Sequence, residues 1–77
     1  MSKYLAAFLV GSTFRPLKIV SAHKFFDEAA GAALAYNVAM IPSHHKFVVD
    51  LVQNSVRNLD GTDAGWAGVP PWELAAE

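Results

Sequence analysis

Three histidines, His23, His44 and His45, are the residues best suited by type to proton transfer or metal binding in this 77-residue chain. Imidazole is the side chain whose ordinary titration falls near neutral pH. His23 and Asp27 stand four apart, and on a helix that spacing would set a ring and a carboxylate on one face, as a polarised pair or as two ligands. His44 and His45 are adjacent and therefore point in different directions on either kind of element. A zinc centre would need two of the rings to converge with a carboxylate, and no local spacing arranges this. A histidine at a helix start and a polar loop account for all three, so no metal and no cofactor is expected.

Nucleophilic catalysis finds no better footing. Ser12, Ser21, Ser43 and Ser55 can each be combined on paper with a histidine and an aspartate, but the chain has neither a nucleophile elbow nor a glycine-rich oxyanion loop. The five glycines, Gly11, Gly31, Gly61, Gly65 and Gly68, form no phosphate-binding pattern. Asp27 and Glu28 are adjacent acids where a helix would begin, a place that favours carboxylates for structural reasons. These features predict a protein that is not an enzyme.

Two groups of residues suit binding instead. Lys3, Arg15, Lys18 and Lys24 alternate with Tyr4, Phe14 and Phe25, a mixture of cations and rings able to follow a backbone and stack on bases. Residues 1–26 contain these four cations and no acid, whereas the remainder has seven acids against Lys46 and Arg57. Four cations are few, the net charge is −1, and lysines on a hairpin ordinarily lay their stems on apolar surface. The second group lies in the stretch GWAGVPPWELAAE, which holds both tryptophans among glycines, prolines and acids. An indole carries roughly 150–250 Å² of surface that is costly to leave in water. Pro70 and Pro71 stiffen the approach to Trp72, and Pro71 suits the first position of a last helical turn. Trp66, Trp72 and Leu74 are therefore the candidate partner-binding residues, with capping of the protein's own core as the competing use.

The elements that position these residues follow from periodicity. Residues 3–10 are apolar on both alternating faces and read as a strand buried on two sides or as a short helix. Gly11 and Ser12 signal a hairpin turn, and residues 17–21 alternate with β-branched side chains as a second strand. Pro16 lacks a donor, which predicts that this second strand begins at a sheet edge. Residues 24–39 are the clearest helix, opened near Ser21 or His23, bearing Phe26, Ala29, Ala30, Ala33, Leu34 and Val38 at helical spacing, and ended by Pro42. Its alanines and Gly31 allow close packing on the protein's own sheet, or on a second copy.

After Ser43 as an N-cap, Phe47, Val48, Leu51, Val52, Val56 and Leu59 make a helical stripe with Asp50, Gln53, Asn54 and Arg57 opposite, and Gly61 suits the position beyond a helix end. The expected fold is a small single α+β domain, an N-terminal β-hairpin followed by an Ala-rich helix and a second helix (ββαα). The alternative is ββαβ, with a third strand at about 46–52. Residues 1–60 form the compact α+β domain, and residues 61–77 a tail containing glycine, proline and tryptophan, packed on the core or on a partner.

Composition narrows the classes further. At 53% hydrophobic and 17% charged the chain is too apolar to be disordered, and a domain this small has apolar area left for a partner. The chain has no cysteine, which fits a reducing compartment and a cytoplasmic location. Residues 4–10 followed by Val20, Ser21 and Ala22 resemble a secretion signal, but Arg15, Pro16 and Lys18 interrupt the path. The longest uncharged run, residues 29–43, contains Asn37 and Pro42, so no membrane span is expected. These readings converge on a non-enzymatic protein-binding module that engages another protein or itself. It would be a small inhibitor or adaptor, of the kind phages and mobile elements encode, or an accessory subunit of a larger assembly. The alternative is a small nucleic-acid-binding regulatory protein using the basic N-terminal hairpin.

Overall fold

Strand β1 (Tyr4–Phe8) is apolar throughout because it runs through the middle of a sheet covered on both sides. The computed structural model describes residues 3–9, 17–37, 39–66, 68 and 71–74. Within them β1 pairs antiparallel with β2 (Leu17–His23) on one side and with β3 (Lys46–Asp50) on the other. Strand β4 (Ser55–Arg57) extends the sheet beyond β3, and the short β5 (Trp72–Leu74) lies parallel to the start of β2. The order is β4-β3-β1-β2-β5: four antiparallel strands and a three-residue parallel edge. A helix, α1 (Phe26–Ala35), crosses between β2 and β3. Among the described residues no helix is long and apolar enough to cross a membrane.

The chain is a small α+β domain, as its periodicity suggests, but the second helix of the ββαα arrangement is absent from the described residues. A short 3₁₀ turn (Ser43–His45) leads directly into β3, so Ser43 caps no second α-helix. The third strand of the ββαβ alternative is present at Lys46–Asp50, and β4 and β5 add to it. The stripe over residues 47–59 coincides with a helical period by accident. Residues 51–54 form a turn between β3 and β4, with Asn54 at φ 53°. The side chain of Asp50 drives that turn: its Oδ1 accepts the amides of Val52 and Gln53 at 2.9 and 3.1 Å, a local alternative to helical bonds. The edge expected at the start of β2 is also displaced, because Leu17 donates its amide to the carbonyl of Pro71 at 3.1 Å and β5 lies outside it. The turn expected at Gly11 and Ser12 lies outside the described residues, as does Pro16.

The two faces of the sheet are closed by different means. On one face Ala6 and Val48 are fully buried beneath Ala29 and Ala33 of α1, whose methyl groups permit a close approach. Gly31 is exposed and faces open space, so it takes no part in that approach. Tyr4 meets Phe26 edge-on at 6.0 Å near the start of the helix, and Phe8 stacks on Tyr36 at 5.2 Å just past its end. The helix stops at Ala35, earlier than Pro42 requires, because Tyr36 turns extended and Asn37 adopts φ 44°. Lys46, only 2% exposed, donates Nζ to the Leu34 carbonyl at 2.7 Å. It places a cation at the negative end of the helix dipole, where α1 has no basic residue of its own.

The opposite face gathers Leu5, Ala7, Leu17, Ile19, Phe47, Val49 and Val56 into one apolar cluster, with Leu9, Ala64 and Trp66 packed on it. The chain after β4 supplies that cover. The backbones of Arg57 and Asp63 form an isolated antiparallel β-bridge, and the amide of Ala64 returns to the Val56 carbonyl at 3.0 Å.

Candidate binding surface

Trp66 and Trp72, alike by composition, occupy different environments. After Gly65, which takes φ 82°, the Trp66 ring lies 5.1 Å from Phe47 at 54°, partly buried against the apolar cluster. Trp72 and Leu74 lie on β5 in register with Leu17 and Ile19. Neighbours across a sheet share a face, so the two continue the apolar face on which Trp66 rests. Their exposure nevertheless differs sharply from that of their neighbours: Leu17 and Ile19 are buried, whereas Trp72 is 45% and Leu74 75% exposed. The core thus ends in an uncovered apolar rim. The last helical turn expected after Pro71 is a strand instead.

A second exposed group lies at the opposite end of β2. Lys3 donates its amide to the His23 carbonyl at 3.0 Å and accepts the Leu51 amide at 2.8 Å, so Lys24, Lys3 and Leu51 follow one another across the strand ends. Phe25, Leu51 and Val52 are exposed there. Lys18 pairs in register with Phe8, five residues along β1 from Lys3, a separation of about 16 Å by strand rise. The cations singled out in the sequence therefore divide between two ends of the hairpin, and Arg15 lies outside the described residues.

Beside that end, Tyr4, Phe26, Asp50, Gln53, Arg57 and Gly61 line a hollow of about 210 Å³. Its floor is a closed polar latch. Asp50, 3% exposed, receives Arg57 Nε on Oδ2 at 2.9 Å, while the other guanidinium nitrogens bond the Gly61 carbonyl and Gln53 Oε1. The sequence pattern placed Asp50, Gln53 and Arg57 on the polar face of a helix and Gly61 just beyond its end. The readable signal was Asp50 followed by Asn54, residue types that favour turns.

The three histidines do not gather into one site among the described residues. His23 ends β2 rather than sharing a helical face with Asp27, and its Nε2 lies 2.7 Å from Ser21 Oγ. An imidazole in that position can accept a hydroxyl proton, but no described carboxylate is hydrogen-bonded to the ring. Phe25 precedes α1 without a side-chain cap, so neither Ser21 nor His23 opens the helix. His44 and His45 contact each other edge-on at 4.4 Å. Among the described residues no group of three or more histidines and acids is placed to hold a metal ion. No family model, curated protein or solved structure matches the chain.

Proposed function

We propose that this chain is a non-enzymatic protein-binding module, an inhibitor or adaptor or an accessory subunit, that presents the Trp72 and Leu74 rim to a partner protein. One observation carries the reading: an indole and a leucine stand exposed in register with the buried Leu17 and Ile19, so the core stops short of its own edge. Large apolar groups next to a well-packed scaffold are the usual anchors of protein recognition. Trp66 serves the other use foreseen for the tail, that of closing the core.

The test is affinity capture from the native host with the full chain and with a Trp72→Ala, Leu74→Ser double variant, scored by mass spectrometry and by thermal unfolding of both baits. The proposal requires a protein captured by the full chain and lost with the variant while the unfolding temperature is kept. Capture of the same proteins by both would overturn it.

The alternative, a small nucleic-acid-binding regulatory protein, draws on Lys3, Lys24 and the exposed Phe25 at one end of the hairpin. It predicts binding to single-stranded nucleic acid that weakens steeply with salt.

A further inference from the structure

We infer that the Trp72 and Leu74 rim receives an extended segment of its partner as a sixth strand, laid along the outer edge of β5, and that this segment reads apolar–basic–apolar. The inference rests on the protein-binding reading above and specifies what kind of partner the rim fits.

The backbone gives the first argument. The Pro71 carbonyl accepts the Leu17 amide, so at that position the chain directs its polar groups toward β2. Successive residues of a strand direct theirs to opposite sides. Trp72 and Leu74 therefore turn their amides and carbonyls outward, and no described residue pairs with that edge. An open edge with large apolar residues is the template that strand addition uses, main-chain bonds giving affinity and alternate side chains giving selectivity.

The register gives the second argument. The strand that already pairs with β5 reads Leu17, Lys18, Ile19 against Trp72, Glu73, Leu74, so an acid and a base share the middle row with apolar pairs on either side. A segment of the same type on the outer edge would extend the apolar rows and bring a second cation to the row of Glu73. A second copy of this chain fits poorly. Two β5 strands laid antiparallel and centred on Glu73 would oppose two glutamates, and like charges directly across a strand pair are destabilising.

The probe is a synthetic peptide carrying Leu-Lys-Ile between flanking threonines, followed by Trp72 fluorescence in a Trp66→Phe background. Binding should weaken at least tenfold for the Leu-Glu-Ile peptide and for a Leu-Lys-Ile peptide N-methylated on the face that meets β5. The Glu73→Lys variant should reverse the charge preference. The methylated peptide tests wild-type backbone pairing even if Glu73→Lys fails to fold. Equal binding of both charge forms, indifference to methylation, or a concentration-dependent dimer joined through β5 would each overturn the inference. If no strand peptide binds while the Trp72 and Leu74 variant still loses its captured protein, strand addition fails and the protein-binding reading survives.

Discussion

Trp66→Ala removes the ring that closes the apolar face of the sheet over Phe47. Truncating a fully buried large aromatic costs about 3–5 kcal/mol. Trp66 is partly buried, so a smaller loss of about 2–3 kcal/mol is expected, including the ring-pair contribution with Phe47. Domains of this length have a total stability of roughly 4–12 kcal/mol. The loss should lower the melting temperature by roughly 8–24 °C, taking 4–8 °C per kcal/mol at this size. Urea unfolding followed by far-ultraviolet circular dichroism measures it, with Trp66→Phe expected to recover most of the loss. Trp72→Ala is the internal comparison: from an exposed rim it should cost no more than about 1 kcal/mol. A Trp66→Ala loss below about 0.5 kcal/mol, the range of ordinary surface substitutions, would refute the assignment of Trp66 to the core. So would a Trp72→Ala loss equal to it.

Asp50→Asn should cost about 1–3 kcal/mol in the same urea assay, because it leaves Arg57 without its charged partner in a largely enclosed latch. Gly61→Ala should cost about 1–2 kcal/mol even though the added methyl has room, its nearest neighbours being ring atoms of Phe26 at 4.0 Å. The cost comes from the backbone at φ 93°, which side chains disfavour. Asp60 titrates below its ordinary 3.8 because the Thr62 hydroxyl and amide donate to its carboxylate. A depressed folded-state value means that this stabilisation is present above pH 3.8 and is lost as pH falls through the folded value. Thr62→Val should therefore shift the Asp60 midpoint upward in an NMR titration, and the melting difference from wild type should shrink in strong acid to what the lost Asn58–Thr62 bond contributes.

The sequence made some of this fold legible through burial. Residues 3–10, apolar on both alternating faces, suited a doubly covered strand or a short helix, and Tyr4–Phe8 form the strand β1. The alanine spacing placed α1 against the sheet, with Ala29 and Ala33 buried. Periodicity failed where a side chain redirected the backbone. Residues 47–59 satisfy a helical stripe, yet Asp50 captures two amides of the turn and pairs with Arg57, making polar residues into the latch of a hairpin. The positive φ of Gly61 was legible from glycine alone, although it follows a strand rather than a helix. For the candidate site, composition singled out Trp66, Trp72 and Leu74 together. What separates them is long-range pairing of β5 with β2, and no local pattern encodes it.

The cover supplied by Trp66 has a kinetic consequence. The hairpin, α1 and β3 form from neighbouring segments, but the ring that shields their second face comes late in the chain. During synthesis at roughly 5–20 residues per second, the end of β4 at Arg57 is made about 0.5–2 s before its lid at Trp66. For that interval Leu5, Ile19, Phe47 and Val49 lie under no indole. A pause, or a stop codon shortly before residue 66, would present that bare face to chaperones and proteases, so the order of emergence sets when this protein becomes safe from its own quality control.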